Sequence, residues 1–187
     1  FDYSKSLFLL KKLITVLSSA DSLVLDFFSG SATTAHAVMQ LNAEDGGKRK
    51  FIMVQLPEEC AENSEAYKAG YKNICEIGKE RIRRAGQKIK EENPLTTQDL
   101  DIGFRVLKCD SSNMEDVYFT PKEYMDKQQS LFIDNIKKDR SDEDLLFDAM
   151  LKLDTPLSSK IEKISIAGKT VYNVAQGHLM ACFDKNV

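Results

Sequence analysis

The sequence lacks the features that mark several protein classes. Its four cysteines, Cys60, Cys75, Cys109 and Cys182, form no C-x-x-C pair and fall on scattered elements. That argues against disulfides and a zinc site, and it fits a reducing cytoplasm. No run approaches the roughly 18 apolar residues that span a bilayer, so no membrane partner is expected. No segment combines a charged start, an apolar middle and a small-residue cleavage site, as a secretory leader would. Repeats at a fixed period and low-complexity tracts are also missing. Excess charge is small: 26 Lys and Arg stand against 29 Asp and Glu, a net −3. A near-neutral, slightly acidic chain is a poor stand-alone nucleic-acid clamp. An initial methionine is missing too. Phe1 leads straight into an apolar helical pattern, and the expectation is a piece of a longer chain.

What is present suffices for a core. The 187 residues are 42% hydrophobic and 29% charged. This suits one ordinary domain, or one domain with a small appendage. Residues 5–17 carry Leu7, Leu10, Leu13, Ile14 and Leu17 at helical spacing. SLVLDFF, from Ser22 to Phe28, reads as a short buried strand, and FIMVQL, from Phe51 to Leu56, as a second. Between them lie GSATT, a small-residue helix to about Leu41, and the polar turn AEDGGKRK. A strand–turn–helix–strand unit of this length predicts a right-handed βαβ crossover with parallel strands. One long helix is expected from about Ser64 to Lys90, with Tyr71, Ile74, Cys75, Gly78, Ile82, Ala85 and Ile89 on its apolar stripe. EENPLTTQD breaks it, and Ile102 to Cys109 reads as a further strand.

The remainder changes character. Residues 121–138 are charged and read as helical. Ser141 opens another helix, with Asp144 completing a capping-box variant and Leu145, Leu146, Ala149, Met150 and Leu153 on its apolar face. From Ile161 the period becomes two, through Ile164 and Ile166, Val171 to Val174 and Leu179 to Phe183, with Ala-Gly-Lys and Gln-Gly turns between. That is a small antiparallel meander. The division expected is an αβ unit at 1–110 and an α+β appendage at 111–187.

The segment richest in chemistry runs from Asp26 to Thr34, DFFSGSATT. An acid ends a buried strand, Gly30 can take a positive φ and admit a ligand close to the backbone, and Thr33 or Thr34 can cap the next helix. Ligands of open parallel sheets bind outside the carboxyl ends of the strands. Neither G-x-G-x-x-G nor G-x-x-x-x-G-K-[ST] occurs, which argues against a nucleotide-dependent oxidoreductase and a P-loop. An acid ahead of the glycine suits a ligand with a cationic amino group.

These residues resemble a known family. VLDFFSGSATTAHAVMQLNAEDGGKRKFIMVQLPEE is similar to the S-adenosylmethionine-binding segment of amino-methylating DNA methyltransferases, whose motif I runs D-x-F-x-G-[ST]-[GA]. FDYSKSLFLLKKLI resembles that family's motif X. Together with AYKAGYKNICEIGKERIRRAG, GFRVLKCDSSN and DLLFDAMLKL, the likeness is greatest to the modification subunit of type III restriction–modification systems, adenine-N6 methyltransferases of permuted motif order.

The resemblance implies an α/β chain. It is a partial Rossmann-like S-adenosylmethionine-dependent methyltransferase fold, with cofactor binding in 1–110 and an interaction region in 111–187. It also implies cofactor roles for particular residues. Asp26 would contact the methionine portion of S-adenosylmethionine, and Phe28, Gly30, Ser31 and Thr33 would form pocket wall and loop contacts. Ala32 stands where many relatives have a second glycine. Lys5 matches the motif X lysine, with a solvated lysine as the alternative reading. Gln55 and Glu58 are rival ribose ligands.

The catalytic [DN]-P-P-[YF] motif of this class lies upstream of motifs X and I and does not occur here. The chain therefore holds no catalytic residue and is expected to be inactive alone, though its parent would methylate adenine N6 in a specific DNA site. Implied partners are DNA through the full-length protein, a restriction subunit and a second copy in a homodimer. The alternative function is a dimerisation or restriction-subunit docking module without cofactor binding. No metal is implied. His36 and His178 read as packed or capping side chains, Cys75 as a core residue, and Lys79, Arg81, Arg83, Arg84, Lys88 and Lys90 as a solvated helix face, part of which could meet DNA backbone.

Overall fold

The computed structural model describes residues 5–115 and 135–184. Helices and strands are mixed along the chain, which divides into two compact units, Phe1–Phe104 and Arg105–Val187.

In the first unit, α1 (Leu7–Leu17) begins at Ser6, whose hydroxyl accepts the Leu9 N–H. Next come β1 (Leu23–Phe27), α2 (Thr33–Asp45) and β2 (Lys50–Val54). The two strands pair in parallel, Leu23 opposite Lys50 through Phe27 opposite Val54, and α2 is the connection between them. Gly46, at φ +68, ends α2 in the left-handed conformation that suits a glycine there. The Arg49 side chain then folds back under the turn onto Asp45 at 2.8 Å and onto Asn42.

The long helix expected over 64–90 is two. α3 (Glu65–Lys68) is capped by Ser64, and α4 (Ile74–Glu92) by Asn73, whose Oδ1 accepts the Glu76 N–H at 3.1 Å. Gly70 lies between them at φ +93, and two side-chain caps so close together define two helix starts. The stripe on α4 nevertheless matches the expected one: Ile74, Gly78, Ile82, Ala85 and Ile89 are buried. Gly86 is buried as well, because a Cβ there would stand 2.8 Å from the Cβ of Ile102.

The strand expected at Ile102–Cys109 does not form. Ile102 and Phe104 alternate with exposed residues and pack on the core of α2 and α4, as a strand face would. The segment has no ladder partner among the described residues, so the period-two pattern yields extended chain without pairing.

The strands are half-buried, not fully buried as expected. Val24, Phe51 and Met53 lie under α1, α2 and α4, within two clusters centred on Val38 and Met39. Full burial of such a side chain contributes about 1.5–3 kcal/mol, and these partly buried ones contribute less. The alternate positions Leu23, Leu25, Phe27 and Ile52 face outward, with Leu25 61% and Phe27 66% exposed. On α1, Ile14 is buried whereas Leu13 and Leu17 are exposed, since α1 meets α2 along one stripe only.

In the second unit, α5 (Asp142–Lys152) starts with the expected capping box. The Ser141 hydroxyl accepts the Asp144 N–H, and the Asp144 carboxylate accepts the Ser141 N–H at 2.7 Å. β3 (Ile161–Ile166), β4 (Lys169–Val174) and β5 (Leu179–Ala181) form the expected antiparallel meander in that order. Ala167 and Gly168 both have positive φ, as a tight two-residue hairpin requires. Leu146, Met150, Tyr172 and Val174 make the core, supported by Phe147, Ile161 and Leu179. Leu153, expected on the apolar face, is exposed past the end of α5, and Ile164 and Ile166 point away from the core. The helix expected at 121–138 lies outside the described residues except for 135–138, where Ile136 bridges to Met114 in extended chain.

Candidate functional site

The loop between β1 and α2 is fixed at both ends. Pairing continues past β1, with the Ser29 N–H donating to the Val54 carbonyl at 3.0 Å. The Gly30 N–H donates to Oε1 of Gln55 at 2.7 Å. Asp26, half-buried at the carboxyl end of β1, accepts the Thr34 hydroxyl on Oδ2 at 2.5 Å. Its other carboxylate oxygen has no partner among the described residues. The charge of Asp26 is thus set at the mouth of the loop, with one lone-pair face left for a cationic donor.

Backbone geometry keeps the loop open. Gly30 has φ +54, and a Cβ there would meet nothing within 4 Å, so a ligand can approach the main chain. Ala32 also takes positive φ, +58, and occupies the position before α2. This corrects the expectation that Thr33 or Thr34 caps the helix: α2 has no side-chain cap. A left-handed alanine costs on the order of 1 kcal/mol. Its methyl group is buried in the cluster that holds Ala35, Met39 and Ile82. The uncapped first turn of α2 directs free N–H groups toward the loop and suits an electronegative group.

The sequence-derived site residues divide into two sets. Asp26, Gly30, Ser31, Thr33 and Gln55 come together: Ser31 Oγ lies 3.5 Å from Thr33 Oγ1, and Gln55 braces Gly30. Phe28 stands beside them, 51% exposed, its ring 4.6 Å from that of Phe27. Glu58 and Lys5 make no hydrogen bond or ion pair with that set among the described residues. Glu58 is exposed and lines an open cavity of about 470 Å³ with Glu59, Cys60, Ser64 and Ile74. Lys5 is exposed just ahead of α1. Sequence reasoning misses Thr34 as the partner of Asp26; the signal lies in the hydroxyl eight residues beyond a strand-end acid.

Cys75 donates its thiol to the Gln55 carbonyl at 3.6 Å, and burial pushes the thiol pKa up. A raised pKa disfavours the thiolate, and the side chain is half-buried where a core position is expected. Among the described residues no group of three His, Cys, Asp or Glu could hold a metal, and no helix is long and apolar enough to cross a membrane.

A comparison with known proteins bears on this loop. Residues 1–68 match the family model described as DNA methylase. The chain is 51% identical over 105 residues to the Mod subunit of the type III restriction–modification enzyme StyLTI from Salmonella typhimurium, covering 56% of this chain and 16% of that one. It is 40% identical over 107 residues to the EcoPI Mod subunit of Escherichia phage P1, covering 57% and 16%. With the EcoP15I Mod subunit of Escherichia coli it shares 35% identity over 130 residues, covering 66% and 20%. The matches thus span a fifth or less of those relatives' length. The motif I and motif X resemblances lie within residues 1–68, and the chain is similar to a stretch of the Mod subunits of type III restriction–modification enzymes.

Proposed function

We propose that the first unit is the S-adenosylmethionine-binding part of a site-specific DNA adenine-N6 methyltransferase, in a partial Rossmann-like arrangement. The observation that carries this reading is the loop itself. It has an acid at the carboxyl end of a parallel strand, an open backbone at Gly30 and an uncapped helix start, all held in register by Gln55 and Thr34. S-adenosylmethionine supplies a methyl group activated on a sulfonium and carries an ammonium and a ribose. These residues fit it: Asp26 accepts from the ammonium, Phe28 walls the pocket, Gly30 and Ser31 offer backbone contact, and α2 offers its first N–H groups. Since Gln55 is engaged with Gly30, we assign it to positioning the loop and give the ribose to Glu58. By its motif X resemblance, Lys5 is assigned to the methionine end, with a solvated lysine as the alternative.

DNA, a restriction subunit and a second Mod copy are the partners of the parent enzyme in this reading. The chain by itself, which has no [DN]-P-P-[YF] motif, is not expected to transfer methyl groups. Isothermal titration with S-adenosylmethionine tests the site. Asp26→Asn, which keeps an acceptor for Thr34 but removes the charge, is expected to weaken binding about tenfold or more. Equal affinity in the variant would remove Asp26 from the site.

A second reading has its own observation. The outer face of the meander exposes Ile164, Ile166 and Met180, which suits the 105–187 unit to subunit contact. A dimer in solution without cofactor affinity would favour assembly as the chain's function.

A further inference from the structure

A cavity of about 370 Å³ lies between α2 and α4, lined by His36 from α2 and by Arg81, Arg84 and Lys88 from α4, with Tyr71 at one end and Glu80 on the same helix. Positions 81, 84 and 88 follow one helical stripe, so these three cations share a face although the full set of basic residues on α4 does not. Pairing separates Arg81 from the other two groove cations and from Lys79 and Arg83. Lys79 is held by Glu76 at 2.6 Å, and Arg83 lies near Glu80 and over the Phe104 ring. Arg84 bonds Glu80 at 2.7 Å and the Tyr71 hydroxyl at 3.2 Å. Lys88 has only a loose, exposed pair with Glu92 at 3.6 Å. Arg81 is half-buried and makes no ion pair or hydrogen bond among the described residues.

A guanidinium without an acceptor, flanked by two further cations, makes a positive groove that an anion would complement. We propose that this groove is a binding site for a phosphate group, with Arg81 as its principal ligand and Lys88, Arg84 and His36 around it. Arg81 presents a fork that matches phosphate oxygens two at a time. S-adenosylmethionine carries no phosphate, so the site serves a different ligand from the loop at Asp26. A nucleic-acid backbone and a free phosphate or pyrophosphate share the required chemistry. That the backbone is the source rests on the DNA-methylase reading; the phosphate chemistry does not.

His36 reports on the site. Its pKa lies below the usual 6.5, chiefly through burial and then through Arg81 and Lys88 on α4 and Lys11 on α1, with Glu92 acting the other way. Glu80, Arg84 and Tyr71 complete the charged and titratable groups around the groove. An anion bound among these cations favours the imidazolium, so it must raise the His36 pKa, and a phosphodiester, whose own charge does not change, binds more tightly as pH falls.

The experiment uses the 187-residue chain, whose two histidines, His36 and His178, are separable by NMR. Each is titrated with pH at constant ionic strength, with and without pyrophosphate and with and without a short DNA duplex. The proposal expects the His36 pKa to rise with either ligand while that of His178 stays put. It also expects Arg81→Gln combined with Lys88→Gln to weaken duplex binding and lower its salt slope by about one. Lys79→Gln combined with Arg83→Gln, outside the groove, should change neither. A response to pyrophosphate alone assigns the site to free phosphate; a response to the duplex assigns it to the backbone. No change at His36 with either ligand overturns the proposal, and the unmodified chain suffices to show it. Titration of the same sample with S-adenosylmethionine tests the methylase reading separately.

Discussion

Gln55 is one of two rival ribose ligands in the sequence, with Glu58, and in the fold its Oε1 accepts the Gly30 N–H at 2.7 Å. Gln55→Ala should cost about 1–2 kcal/mol by leaving that N–H without a partner. It should also weaken cofactor binding through a loosened loop. Urea unfolding and cofactor titration of the same variant check the two effects, and loss of affinity without loss of stability would make Gln55 a ligand after all. Asp26 and Gly30 are legible because motif I fixes both the strand end and the turn. Ala32 is legible as a misfit, but its buried place at positive φ in the cluster that holds Ala35, Met39 and Ile82 is not, since only the packed helices create that cluster. Arg81 cannot be singled out either, since the sequence shows six basic residues on α4 and only the fold shows which acids reach Lys79, Arg83, Arg84 and Lys88.

Elements are legible where their signals are local. The Ser141–Asp144 capping box, the glycine end of α2 and the period-two meander each depend on residues within a few positions of one another. The split of the 64–90 helix escapes notice because its apolar stripe runs on through the break, while the caps at Ser64 and Asn73 that define two starts look like ordinary polar residues. Ile102 and Phe104 alternate as a strand would, but pairing needs a distant partner. Their actual role is to pack on α4 over Gly86. Gly86→Ala should therefore destabilise the first unit by about 1–2 kcal/mol, because overpacking against Ile102 outweighs the helix-propensity gain of at most about 1 kcal/mol. A rise in the unfolding midpoint would mean that the 102–104 segment yields freely.

The turn after α2 carries a pH signature. The Arg49 guanidinium, followed by the Gly47 N–H, holds the Asp45 carboxyl below its usual 3.8. A carboxyl with a depressed folded-state pKa contributes stability above 3.8 that is lost as pH falls through the folded value. Asp45→Asn should accordingly destabilise the chain at pH 7, and the gap to the parent chain should close on acidification below 3.8. A gap independent of pH would assign the effect to packing.

At the scale of the molecule, the first unit is a parallel sheet covered on one face. α1, α2 and α4 cover Val24, Phe51 and Met53, while Leu23, Leu25, Phe27 and Ile52 face outward. Parallel sheets are ordinarily covered on both faces. In the methylase reading, the rest of the parent enzyme covers this one, and composition alone could not reveal it because both faces are equally apolar in sequence. Leu25→Lys with Phe27→Lys should lower self-association and apolar-dye binding of the chain. The cost in unfolding free energy should be below about 1 kcal/mol per site. A loss of several kcal/mol would mean the face is already packed.

Calorimetric titration of the 187-residue chain with S-adenosylmethionine, run beside NADH, tests the central claim most directly. The loop at Asp26 and Gly30 predicts saturable binding of S-adenosylmethionine and none of NADH. Tight NADH binding with no S-adenosylmethionine binding would contradict it.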